Sequence, residues 1–197
     1  MRGATATYAA LGLALLLSAA AAAQRNDPAP VPEEDIKSVF LYNFSRFVRW
    51  PDGALGPPST PLRIGVLNTA AFEKSFQRLA GKTAQGRPVV FVHCRRIEEL
   101  RQCAIVYLNA RDDLLIKRAL TALSGHPVLT VGDGPDFLRW GGMLSFTHRE
   151  NRIRLAANPA AAADAGIRLG ARLLQVCDVH GPPDTQRNGT AAEGGSS

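Results

Sequence analysis

The sequence predicts an α/β domain of three layers: a mostly parallel sheet between helices, with an antiparallel hairpin toward its C-terminal end and an amphipathic helix before it. Three observations predict it. Short apolar runs such as "LRIGVL", "RPVVFV" and "CAIVYLN" alternate with stretches of helical pattern, and such runs belong to strands buried on both faces, as parallel strands are. The last third breaks the rhythm with two strand-like segments joined by a polar turn, "GGMLSFTHRENRIRLAANP". Ahead of both, "FLYNFSRFVRWP" (40–51) concentrates aromatics in a chain that has only 7% of them.

The chain opens with Met1-Arg2 and then an uncharged run from Gly3 to Ala23 centred on "ALGLALLLSAAAAA". A basic start, a short apolar stretch and small residues in an A-x-A pattern mark an export signal cleaved near Ala23-Gln24; as a membrane anchor the Leu-rich part is short. Residues 24–34 form a Pro-rich leader, 35–178 a single domain, and 179–197 a polar tail with little apolar surface to bury. The first helix starts after Pro32, where Glu33, Glu34 and Asp35 suit the positive end of a helix, and Pro51 ends it. Ile36, Val39, Phe40, Asn43 and Phe47, with Phe44 and Val48 slightly off the line, form a broad apolar stripe. Most of its aromatics belong to the core, and Tyr42, Arg46, Arg49 and Trp50 are the candidates for contact with a partner, since Trp, Tyr and Arg carry much interface energy. Asn43 is either a helix-packing amide or a contact residue.

Strand Leu62–Leu67 is followed by a helix from about Thr69 to Leu79, with capping chemistry at Asn68-Thr69. A second strand runs through "RPVVFV", a third starts at Cys103, a helix opens at Asp112-Asp113 and runs through Leu123, and "HPVLTV" is a fourth strand. Strands Met143–Thr147 and Arg152–Ala156 make the hairpin. Pro159 starts a last helix through about Val176.

Chemistry in such a sheet sits at the carboxyl ends of the strands. "TVGDGPDF" has Gly132 and Gly134 around Asp133 without the rest of a phosphate-binding fingerprint, and His93, His126, His148 and His180 are not spaced as metal ligands. No nucleophile, base and orienting group assemble, so neither a catalytic residue nor a cofactor or metal site is assigned. Two classes of function remain: a protein that binds another protein, and a small-molecule sensor with a ligand near Asn68, Asn109 and Asp133. The formal charge is +6, and +5 once Arg2 leaves with the leader, spread over scattered arginines; for an exported protein this points to an anionic surface or an acidic protein rather than nucleic acid. In an oxidising compartment Cys94 and Cys103, which bracket the short crossover "RRIEELRQ", are the favoured pair. Pairing of Cys177 with either, or three free thiols, are the alternatives; a zinc site at His93, Cys94 and Cys103 lacks a fourth ligand.

"VFLYNFSRFVRWP" resembles the opening helix of the YfiR-like family of periplasmic proteins, a hydrophobic "FLYNFxxFVxWP". The later segments "LRIGVLN", "RPVVFV", "CAIVYLN", "GHPVLTVGDGPDF", "GGMLSFTHRENRIRLAAN" and "LLQV" follow in the family's order, from about Asp35 to Val176. The resemblance implies a soluble periplasmic repressor, dimeric, that binds the periplasmic sensor part of an inner-membrane diguanylate cyclase and lowers cyclic-di-GMP and biofilm formation. It also implies an outer-membrane-linked lipoprotein that sequesters the repressor, and disulfides whose redox state affects folding and activity. Gly65 and the absence of cysteines around "DFLRWGGML" depart from the family's bridge positions, which makes a Cys94–Cys103 link a local variant.

Overall fold

Three carboxylates, Glu33, Glu34 and Asp35, fill the first turn of helix α1 (Glu33–Phe47), where the macrodipole favours negative charge, and Arg46 stands in its last. The computed structural model describes residues 31–67, 71–109, 112–150 and 152–180, and from Glu33 onward they form one compact unit. The expected leader (1–23), most of the Pro-rich stretch, the tail from 181 and Asn68 lie outside the described residues. After α1 come β1 (Val48–Arg49), β2 (Leu62–Leu67), α2 (Glu73–Arg78), β3 (Thr83–Ala84), β4 (Arg87–Cys94), α3 (Ile97–Leu100), β5 (Ile105–Leu108) and α4 (Asp113–Leu123). The remainder is β6 (Leu129–Asp133), α5 (Pro135–Arg139), β7 (Leu144–Arg149), β8 (Arg152–Ala157), α6 (Pro159–Asp164), β9 (Arg168–Leu169), α7 (Ala171–Leu174) and β10 (Cys177–Val179).

Eight strands form the central sheet in the order β10-β8-β7-β6-β5-β2-β4-β3. β4, β2, β5, β6 and β7 run parallel; β7 and β8 are the antiparallel hairpin, with Phe146 opposite Leu155. Strand alternation then divides the core. Ile64 and Val66 of β2 and Ile105 and Tyr107 of β5 face α1 and α2, where they meet Leu41, Phe44, Phe72 and Phe76. Leu67, Val106 and Leu108 face the other way onto Leu100, Ile116, Leu120 and Leu123 of α3 and α4, with Phe137 of α5. Continuous apolar runs are what strands covered on both faces require. Because the chain passes from β2 outward to β4 and then back to β5, the switch point of the sheet falls between the carboxyl ends of β2 and β5.

Three elements differ from the sequence expectation. The deep line of α1 is Lys37, Leu41, Phe44 and Val48, whereas Val39 and Phe47 are 48% and 38% exposed. A lysine can lie on the buried line because carboxylates neutralise it there. The helix stops at Phe47, before Pro51, because Val48 and Arg49 leave it to pair antiparallel with Leu169 and Arg168. α2 is described only from Glu73, with Phe72 at its N-cap and no side-chain cap bond. The single helix expected from Pro159 to Val176 is α6, β9 and α7 in turn: Gly166 takes φ +72 just past α6, a conformation that ends helices, and Cys177–Val179 add an edge strand beside β8.

Candidate functional site

Lys37 organises the carboxyl edge of the sheet, and sequence reasoning missed it. Its side chain reaches from α1 to the end of β6, where Nζ donates to Asp133 Oδ1 at 2.8 Å and to the Tyr107 hydroxyl at 2.9 Å, and pairs with Glu33 Oε1 at 2.6 Å. The Tyr107 hydroxyl in turn donates to the other Asp133 oxygen. Lys37 is 5% exposed, and its ammonium lies 5.4 Å and 5.5 Å from the centroids of the Tyr107 and Phe146 rings. All three ammonium protons thus have acceptors, as a buried cation requires. Burial and the Asp133 carboxylate push the Tyr107 hydroxyl well above its ordinary range, so it stays a donor. The hydrogen bond from Lys37, then its charge and the neighbouring His148, hold Glu33 below the usual carboxylate range against a partial desolvation cost. The signal was available: Lys37 shares one helix line with Leu41, Phe44 and Val48, and Glu33 stands one turn before it.

A second feature forms where α1 ends. A pocket of about 340 Å³ is lined by Phe47 and by the guanidinium-bearing Arg46, Arg49 and Arg172, with Gln85 and Gly170. The helix C-terminus, whose last carbonyls lack helical partners, is closed by two other segments. Gln85, in the β3–β4 turn, donates from Nε2 to Ser45 O (2.7 Å) and Val48 O (2.8 Å), and the Gly170 N–H donates to Phe47 O (3.0 Å). A Cβ at position 170 would stand 2.5 Å from that oxygen, so the junction needs glycine. Phe47 lines this pocket with 38% of its surface exposed. None of Arg46, Arg49 and Arg172 pairs with a carboxylate among the described residues. The result is an apolar floor within a rim of one charge sign.

The third feature is a thiol pair. Cys94 ends β4 and Cys103 precedes β5; both are buried and free, with Sγ atoms 3.9 Å apart. Gly65 of β2 makes the room: a Cβ there would lie 2.7 Å from Cys103 Sγ and 3.0 Å from Cys94 Sγ. The contact with Cys103 draws the Cys94 thiol below its ordinary range, while that contact and burial push the Cys103 thiol up. Cys177, on β10 against the opposite core cluster, is pushed up to about 11 by burial and by Asp178.

The expected contact residues divide. Arg46 and Arg49 meet at the pocket beside α1. Tyr42 is half-buried and donates to Thr83 O at 3.0 Å, and half-buried Trp50 donates from Nε1 to Ala104 O at 3.3 Å, both packed against the core cluster. Asn109 is exposed just after β5, near the switch point, and Asp133 is engaged by Lys37 and Tyr107. Phe47 was legible only as part of the apolar stripe, and Gln85 and Arg172 were not legible as site residues, since the β3–β4 turn and α7 reach α1 only through the fold.

The chain is similar in structure to a conserved domain protein from Vibrio cholerae O1 biovar El Tor strain N16961, at 11% identity and a TM-score of 0.47 over 76% of this chain and 60% of that one. It is also similar to an ABC domain from Streptococcus pneumonia solved in complex with L-Trp, at 11% identity and a TM-score of 0.42 over 64% of this chain and 57% of that one. It therefore spans about three-fifths of the length of these two proteins. No protein of curated function matches the sequence. The YfiR/HmsC-like family model matches residues 34–178, from the acidic first turn of α1 to β10, and the chain belongs to that family.

Proposed function

We propose that this protein is an inhibitory binding protein that holds an inner-membrane diguanylate cyclase inactive by gripping an acidic segment of its periplasmic sensor region. The observation that carries this reading is the pocket at the end of α1, where uncovered Phe47 lies among Arg46, Arg49 and Arg172. Guanidinium groups bind carboxylates through paired N–H donors, and an aromatic floor takes the apolar side chain of the same segment. The charge rim selects the partner and speeds the encounter, while burial of Phe47 sets how long the complex lasts. No bond is made or broken, and regulation is by occupancy. Export with the leader removed after Ala23 brings the protein to that partner. A homodimer, and an outer-membrane-linked lipoprotein that sequesters the repressor, complete the reading.

Co-expression with the membrane cyclase tests it. Arg46→Glu with Arg172→Glu should restore cyclic-di-GMP output to the level seen without the inhibitor, while Arg118→Glu on the remote face of α4 keeps inhibition. Circular dichroism and periplasmic fractionation establish that each variant is folded and exported. Full inhibition by the folded double variant would remove this pocket from the mechanism.

A further inference from the structure

At the amino ends of β2, β5 and β6, on the edge opposite Lys37, a cavity of about 260 Å³ is lined by Arg63, Arg101, His126, Thr60, Gln102 and Cys103, among others, and none of its lining residues is acidic. Arg63 is the second residue of β2, and alternation puts it on the same face as Gly65 and Leu67. Its Nε is buried and has no hydrogen-bond partner, the one such side-chain atom among the described residues. The rest of the guanidinium lies against the Cys103 thiol, and a buried donor with no partner in the chain is one that an added water or ion can satisfy. Arg101 is held in place by Nε and Nη2 bonds of 3.1 Å and 2.9 Å to Ala122 O. His126 is fixed beside the cavity by a 3.1 Å contact between Nδ1 and Ser124 O. The nearby carboxylate of Glu99 is taken up by the Arg95 N–H and by Arg96.

We propose that this cavity binds a small oxyanion, of the phosphate, sulfate or short polycarboxylate type, with the Arg63 and Arg101 guanidinium groups as its donors. A guanidinium presents Nε–H and Nη–H as a fork that matches two oxygens of one anion. The volume fits a small ion or metabolite and no macromolecule. Two arginines and no acid make the lining cationic. The site differs from the Arg46–Arg172 pocket in position and in every lining residue. Since Cys103 forms part of the wall, a bound anion also covers the approach to the thiol pair.

The full-length exported protein is titrated calorimetrically with inorganic phosphate, sulfate and citrate in a chloride buffer. Saturable binding of at least one is expected, weakened about tenfold or more by Arg63→Met and by Arg101→Gln, and unchanged by Arg46→Gln. Preference for phosphate or sulfate identifies a tetrahedral ligand and preference for citrate a carboxylate; either supports the site. Arg101 is exposed, so Arg101→Gln tests the site even where Arg63→Met does not fold. Absence of saturable binding by all three anions, or affinities that folded Arg101→Gln leaves within about twofold, overturns the proposal. Neither result bears on inhibition through the other pocket.

Discussion

Lys37 sets one ammonium among Asp133, Tyr107 and Glu33, so its replacement reads how far the carboxyl edge of the sheet depends on that charge. Methionine keeps the packed stem and removes the cation. Removing one partner of a fully buried pair costs about 3–5 kcal/mol. The Asp133 and Glu33 side chains are 35% and 43% exposed and can rehydrate, so Lys37→Met should cost about 2 kcal/mol, measured by urea unfolding at neutral pH. The sign with pH follows from Glu33, whose folded pKa lies below its ordinary value chiefly through Lys37. Such a carboxylate contributes fully above its unfolded pKa and loses that contribution as pH falls through the lowered folded value. The gap between wild type and Lys37→Met should therefore narrow on acidification below the ordinary carboxylate range, and a gap that widens there would contradict the pairing. Gly65 is a second single-residue lever. Gly65→Ala drives a methyl into both sulfurs and should destabilise by about 1–3 kcal/mol. Oxidation of the wild type should close Cys94–Cys103 with Cys177 still alkylated in the mass spectrum. For so short a loop the bridge would add about 2–3 kcal/mol in the chain-entropy model.

At the scale of elements, the end of α1 is held by the β1–β9 pair and by the bonds from Gln85 and Gly170. Gly170→Ala cannot keep its N–H on Phe47 O without moving the chain, because the added carbon stands 2.5 Å from that oxygen. It should cost about 1–3 kcal/mol by the same overpacking argument and speed hydrogen exchange at the position-170 amide and at the β1–β9 amides, with β5 and β6 unchanged. The elements that were legible are those whose local pattern suffices. β2 runs from Leu62 to Leu67 as read, and Asp112 caps α4 with bonds to the N–H groups of Leu114 and Leu115. The hairpin declared itself by two runs around a polar turn. What escaped needed the tertiary fold. The stripe Ile36–Val39–Asn43–Phe47 is apolar by composition, yet the line through Lys37 is the deeper one because Asp133, 96 residues away, supplies the charge that Lys37 needs. The expected last helix is alanine-rich only from Ala160 to Ala165, and past Gly166 β9 is drawn out to pair with β1, whose position no local pattern encodes. The same dependence hid Gln85 and Arg172, while Arg46 and Arg49 were legible as charges at the end of an apolar helix.

For the whole molecule, the basic excess acts at a distance where the contacts of Phe47 do not. With +5 once Arg2 has left with the leader, and three arginines around one pocket that pair with no carboxylate among the described residues, the field at the end of α1 attracts an acidic partner before any contact forms. Exposed charges separated by more than a Debye length, about 10 Å at 0.1 M salt and 3 Å at 1 M, are screened from one another. The association rate should therefore fall about tenfold or more between 50 mM and 500 mM sodium chloride, in stopped-flow or surface measurements against the soluble periplasmic region of the cyclase. Phe47→Ala should leave that salt slope intact and raise the dissociation rate, since apolar burial acts after encounter. Arg46→Glu with Arg172→Glu should flatten or reverse the slope and leave the remaining complexes with a dissociation rate still set by Phe47. An association rate independent of salt, with dissociation alone responding to both kinds of substitution, would mean that recognition rests on shape and not on the charge ring.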